Sequence, residues 1–162
     1  MRASGAQHLI VRTAWIYAAR GHNFLRTMLR LGAERDELRI VDDQIGAPTP
    51  ARAIAEATAS ALAQWLPADA TEPQKSAGTY HLTARGRATW FEFAGAIFAG
   101  AVARGLIDRA PRIQPIATAD YPTRARRPAY SVLDSSRFEN AFGIQLPDWR
   151  VGLESVLDQL AS

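Results

Sequence analysis

The stretch His8-Leu9-Ile10-Val11-Arg12-Thr13-Ala14-Trp15-Ile16-Tyr17 decides the fold. It is an apolar, β-branched and aromatic run, the composition of a strand buried on both faces, and it predicts a strand over 8–14. Gly21-His22 interrupts it, and Asn23 is the expected N-cap of a helix with Phe24, Met28 and Leu31 on one stripe, ending near Glu34. A strand follows over 38–41, then a turn-rich loop over 42–48. Thr49-Pro50 reads as a hydroxyl cap with proline at the first helical position, opening an alanine-rich helix to Leu66. Beyond a polar loop over 67–77, a strand is expected over 78–83. Thr89-Trp90-Phe91-Glu92 then matches a capping box, and its helix runs to about Arg104 and stops at Gly105. A strand over 113–117, an arginine- and proline-rich loop over 121–128, a short helix capped by Asp134 over Phe138 and Phe142, and an amphipathic helix over 151–160 complete the chain. Strands and helices alternate throughout, which is the pattern of an α/β arrangement with parallel pairing. There is no internal repeat.

Composition narrows the class. With 162 residues, 48% hydrophobic and 22% charged, the chain has room for one core and a small second lobe, and has neither the polarity of a disordered segment nor its low complexity. The longest apolar-looking stretch, 90–102, contains Glu92 and falls short of the roughly 20 residues a membrane span requires. Residues 1–8 lack the pattern of a secretory signal. Cysteine is absent, which removes disulfides, thiolate metal sites and a cysteine nucleophile together, and a cytoplasmic location is the default expectation. The net charge of +3 comes from 19 basic residues, of which only Lys75 is lysine. The arginines are spread along the chain, and Arg124, Arg126 and Arg127 form the one tight group. A small-anion site accounts for that charge at least as well as a nucleic-acid surface, so no nucleic-acid partner is expected.

Several kinds of chemistry are missing from the sequence. No G-x-G-x-x-G turn follows the first strand, and no phosphate-binding G-x-x-x-x-G-K-[ST] occurs. Gly95, Gly100 and Gly105 read as helix-packing or helix-ending glycines. His8, His22 and His81 are scattered, which makes them structural or surface residues and leaves no metal site. None of Tyr17, Tyr80, Tyr121 or Tyr130 has a lysine four residues on, so no tyrosine acid of lowered pKa is expected. Asp42 and Asp43 are neighbours that should point different ways, a poor carboxylate pair. Trp15 is either a core tryptophan or an open indole face.

Taken as a set, Arg12-Thr13-Ala14-Trp15-Ile16-Tyr17, Gly21-His22-Asn23-Phe24, Asp43-Gln44-Ile45-Gly46-Ala47-Pro48-Thr49, Gly78-Thr79-Tyr80-His81-Leu82, Thr89-Trp90-Phe91-Glu92-Phe93-Ala94, Tyr121-Pro122-Thr123-Arg124-Ala125-Arg126-Arg127-Pro128 and Leu146-Pro147-Asp148-Trp149 resemble the second half of the dTDP-4-dehydrorhamnose reductase family. The D-Q-x-G-x-P-T block and the proline-flanked arginines are specific in combination. The resemblance implies the C-terminal part of a Rossmann-like, NAD(P)-binding extended short-chain dehydrogenase/reductase, a partial parallel sheet plus a small substrate-binding lobe. Residues 1–88 would then hold the end of the nucleotide-binding sheet with intervening lobe elements, and 89–162 mainly the substrate lobe. Such enzymes reduce the 4-keto group of a dTDP-6-deoxy sugar with NADPH or NADH.

In that family the glycine-rich cofactor loop, the catalytic threonine or serine and the Y-x-x-x-K acid lie upstream of the strand that begins here at His8. The resemblance therefore implies no catalytic residue in this chain and an isolated chain that does not turn over. Carried over by position, Trp15 would pack against the sugar, Thr13 would lie near the nicotinamide, and Asn23 and Gln44 would touch the substrate or orient its loops. Arg126 and Arg127 would meet the diphosphate through paired hydrogen bonds. The family can also bind Mg2+ between subunits, with no ligand placed here, and a homodimer is compatible with it. The usual arginine-proline-x-asparagine-serine is altered to Arg127-Pro128-Ala129-Tyr130-Ser131. A second class of relative, the non-catalytic regulatory subunit of methionine adenosyltransferase, shares the fold and would act by binding a partner. An intact upstream Y-x-x-x-K separates the two.

Overall fold

The computed structural model describes residues 8–66, 77–121, 125 and 127–162. Its element order is β1 (Leu9–Arg12), β2 (Ile16–Tyr17), α1 (Phe24–Glu34), β3 (Glu37–Val41), β4 (Ile45–Gly46), β5 (Thr49–Pro50), α2 (Ala51–Trp65), β6 (Gly78–His81), β7 (Ala88–Thr89), α3 (Trp90–Ala103), β8 (Arg112–Ile116), α4 (Ser136–Phe142) and α5 (Trp149–Ala161). The strands form two-stranded ladders: β1 with β6, β2 with β5 and β3 with β8 in parallel, β4 with β7 antiparallel. Parallel partners distant in sequence require crossovers, and the helices supply them. Among the described residues, no helix is long and apolar enough to cross a membrane.

Helix α3 is central because its sequence is apolar on almost every side, which only a buried helix tolerates. Phe93, Ile97 and Phe98 pack with Leu25 and Met28 of α1, Leu38 and Ile40 of β3, and Leu153 and Leu157 of α5. Close approach depends on small residues: a Cβ at Gly100 would fall 2.5 Å from Leu157 Cδ1, and one at Gly32 would fall 2.6 Å from Phe98 Cε1. The capping box holds as expected. Thr89 accepts from the Glu92 N–H, Glu92 reaches back to the Thr89 N–H, and Gly105, with φ +67°, follows the helix end. A second cluster joins Tyr80 and Leu82 to Ala57, Ala61, Phe138, Phe142 and Leu146, with Leu9 and Val11 against it. The two clusters interleave along the sequence, since α4 lies beyond residue 88 yet packs on the β1–β6 ladder.

Three expectations need correction. The strand over 8–14 is Leu9–Arg12 and is half-buried with Arg12 exposed, because its described neighbours cover one face and one edge. Thr49 does not cap α2: Pro50 is the capping residue and Thr49–Pro50 pairs with Ile16–Tyr17. Asp134 stands one residue before the cap of α4, where its carboxylate accepts from the Ser136 N–H. The expected stripe of α1 holds, with Phe24, Met28 and Leu31 all against the larger cluster and Leu25 and Gly32 buried beside them. The loop over 67–77 lies, apart from residue 77, outside the described residues.

The hydroxyl of Thr49 is fully buried, donates to the Ala47 carbonyl at 2.8 Å and accepts from the Ala84 N–H at 3.1 Å. It thus ties the segment before α2 to the segment after β6. Thr49→Val keeps the shape but strands both backbone groups in the interior, and should cost about 1–3 kcal/mol in urea unfolding, while Thr49→Ser should recover most of it.

Candidate functional site

The chain leaves β1 at its carboxyl end through Thr13 and Ala14 and turns at Trp15, whose φ of 51° lies in the left-handed region. A bulky residue adopts that conformation only where its surroundings hold it. The Trp15 carbonyl accepts from the Thr49 N–H at 3.0 Å, and its Nε1 donates to Ser131 Oγ at 3.0 Å. Its ring stacks on Trp90, the first residue of α3, with centroids 3.5 Å apart and planes 3° from parallel. Gly46 lies against its pyrrole ring, and any side chain there would run into the indole. Trp15 as a residue remains half-buried.

The second indole is held from below. Trp90 Nε1 donates to Gln44 Oε1 at 3.2 Å, and Gln44 Nε2 donates to Thr118 Oγ1 at 2.9 Å. Thr118, just beyond β8, donates its hydroxyl to Asp43 Oδ1 at 2.5 Å and its N–H to both Asp43 oxygens at 2.9 Å. These bonds, the hydroxyl first and the N–H next, hold the Asp43 carboxyl below its ordinary pKa. Asp42 turns the other way and accepts from Thr89 Oγ1 at 2.6 Å, so the two aspartates diverge as expected. Residues 129–131 complete the site: the Ala129 carbonyl accepts from the Ile45 N–H, the Ile45 carbonyl accepts from the Ser131 N–H, both at 2.8 Å, and Ser131 Oγ donates to the same carbonyl.

The structure thus gathers Thr13, Trp15 and Gln44 around one edge, with the segment that follows Arg127 laid against it. The buried Thr13 Oγ1 has no hydrogen-bond partner. Both ends of the Gln44 amide are engaged within the protein, and its side chain is buried. Asn23 is occupied too: Oδ1 accepts from the Arg26 N–H at 3.1 Å, while Nδ2 donates to the Ala18 carbonyl at 2.9 Å and the Arg20 carbonyl at 3.1 Å. Arg127 is exposed and forms no ion pair with a described residue; Arg126, like Arg124, lies outside the described residues. Tyr130 pairs with Ile45 as an isolated parallel bridge and is exposed. No group of three or more His, Cys, Asp or Glu side chains placed to hold a metal occurs among the described residues.

Sequence reasoning missed Trp90, Ser131, Gly46 and Thr118 as members of the site. Trp90 carried one usable signal, since a tryptophan directly after a capping threonine stands at the open end of its helix. Ser131 closes the arginine-proline-x-asparagine-serine pattern, but nothing local points to its indole partner 116 residues away.

Residues 1–162 match the model of a family described as the RmlD substrate binding domain. The chain is 51% identical over 156 residues to dTDP-4-dehydrorhamnose reductase of Burkholderia thailandensis, covering 93% of this chain and 51% of that protein. Among solved structures, a dTDP-4-dehydrorhamnose reductase from Clostridium acetobutylicum superposes with TM-score 0.80 at 34% identity, over 95% of this chain and 49% of that one. The Bacillus anthracis reductase in complex with NADP gives TM-score 0.78 at 35% identity, over 93% and 48%. The chain spans about half the length of the curated relatives it matches.

Two measurements check this geometry. Indoles stacked at this separation should perturb each other's absorption and emission, and Trp15→Phe and Trp90→Phe should each remove the same part of the near-ultraviolet difference between folded and unfolded protein. Because the native Asp43 pKa is depressed, the stability it contributes is present above the ordinary carboxylate value and disappears as pH falls through the native one. The stability gap between wild type and Asp43→Asn in urea unfolding should therefore be open at neutral pH and close on acidification.

Proposed function

Since this chain belongs to the RmlD substrate-binding domain family, we propose that it forms the substrate-binding half of a dTDP-4-dehydrorhamnose reductase. The reaction would be the NADPH-dependent reduction of the 4-keto group of dTDP-6-deoxy-L-lyxo-4-hexulose to dTDP-L-rhamnose. The observation that carries the reading is the half-buried Trp15, stacked on Trp90 just past the carboxyl end of a parallel ladder, where open α/β sheets place their ligands. An indole suits the C–H surface of a deoxysugar. With its N–H committed to Ser131, Trp15 contributes apolar contact alone. Arg127, exposed and free of a described carboxylate, suits the diphosphate, and Arg126 is assigned the same role by its position in the motif. Asn23 and Gln44 serve by shaping the loops on either side, because their own polar atoms are spent.

The dinucleotide fits this chain at one point, the orphaned Thr13 hydroxyl beyond β1. When bound, the cofactor supplies a hydride to the sugar C4 while a proton is delivered to O4. The sequence contains no glycine-rich phosphate turn and no Y-x-x-x-K, so those parts belong to the other half of the reductase. In this reading, residues 1–88 contribute the sheet end and 89–162 most of the lobe, with α4 returning to the sheet. The partner is a nucleotide sugar, not nucleic acid or membrane; the setting is the cytoplasm, and a homodimer is compatible with it.

NADPH oxidation with the dTDP-4-keto sugar tests the proposal. The full-length protein carrying this segment should turn over and the 162-residue chain should not. A full-length protein without turnover overturns the reductase reading, and turnover by the chain alone overturns the need for a second half.

A further inference from the structure

The Trp15 indole is constrained on more sides than a ligand-facing ring requires. Trp90 lies under one face, Gly46 presses on the pyrrole ring, and Ser131 Oγ takes the N–H. Neither neighbour is loose. Trp90 is itself backed by Phe24, with centroids 4.6 Å apart, and pinned through its Nε1 to the buried Gln44. Ser131 is held by its own N–H and hydroxyl to the Ile45 carbonyl, in the same short strand that supplies Gly46. The backbone of Trp15 is in the left-handed region, a conformation that a bulky residue keeps only where its surroundings hold it.

We propose that Trp90 and Ser131 are positioning residues that act through Trp15, setting the plane and the edge of the indole presented to the sugar. The proposal rests on the reading that Trp15 contacts the nucleotide sugar. The division of labour follows from the chemistry: stacking on Trp90 fixes the plane of the ring, and the hydrogen bond to Ser131 fixes its rotation within that plane. With the N–H already satisfied, the remainder of the indole is purely apolar, which favours a C–H surface over a hydroxyl-bearing one. Preorganising the ring this way lowers the ordering cost of binding.

The test uses the full-length protein carrying this segment, with KM for the dTDP-4-keto sugar, kcat and thermal midpoint measured for Trp15→Phe, Ser131→Ala, Trp90→Leu and the two double variants on a Trp15→Phe background. Ser131→Ala and Trp90→Leu are each expected to raise KM roughly three- to tenfold, the size of one aromatic contact. On the Trp15→Phe background, either change should add little, the signature of residues acting through a shared partner. Ser131→Ala removes only one hydroxyl and carries the test if Trp90→Leu fails to fold. Unchanged KM in Ser131→Ala, or effects that add fully on Trp15→Phe, overturn the positioning role while leaving the substrate reading intact. Unchanged KM in Trp15→Phe itself overturns that reading and the proposal with it.

Discussion

The face-to-face contact of Trp15 and Trp90 is the constraint on which the site depends. The first indole follows the end of a sheet strand and the second opens the central helix and packs against the larger hydrophobic cluster, so their stack ties the strand end to that core. It is not an isolated pair. Trp90 leans on Phe24, Phe24 on Phe93, and Phe93 on Tyr17 and Trp149 edge to face, so an aromatic series runs from Trp15 into the middle of the core. Each such contact is worth about 0.5–1.5 kcal/mol beyond the area it buries. Their combined effect is to make the position of one half-buried tryptophan a property of the whole core.

Polar groups around that stack are engaged within the protein and leave few free valences. Gln44, Thr118 and Asp43 form a continuous chain of hydrogen bonds beneath Trp90, and Thr89 joins Asp42 to the cap of α3. A buried amide with both ends satisfied rigidifies its surroundings, while a half-satisfied one would weaken them. The exceptions are informative: the Thr13 hydroxyl beside the stack has no partner, and Arg127 on the neighbouring segment has no described carboxylate. Among the described residues near the stack, these two groups are the ones the protein itself leaves unanswered, the hydroxyl buried and the guanidinium exposed.

Much of this was legible along the chain. Asn23, Thr89 and Gly105 mark helix boundaries because capping is local, involving residues within four positions of one another. The divergence of Asp42 and Asp43 followed from their adjacency. Thr49 was misread for the opposite reason. Its sequence neighbourhood is that of a helix cap, but its hydroxyl answers Ala84, 35 residues away, across a junction no local pattern encodes. The expectation that the first strand is buried on both faces came from its apolar composition alone, and the number of neighbours a strand acquires is not written in its own residues.

What the sequence determined by itself, then, is the α/β alternation, the limits of α1 and α3 and the motif set that joins the chain to its family, all of which depend on short-range chemistry. Tertiary structure alone decided which residues make the site. Trp90, Gly46 and Ser131 come from a helix start, a two-residue strand and an irregular segment, and they meet Trp15 only because the parallel ladders and α3 bring those segments to one edge. Contacts between residues 31 to 116 positions apart are fixed by how the elements pack, and packing is a property of the assembled core, not of any stretch within it.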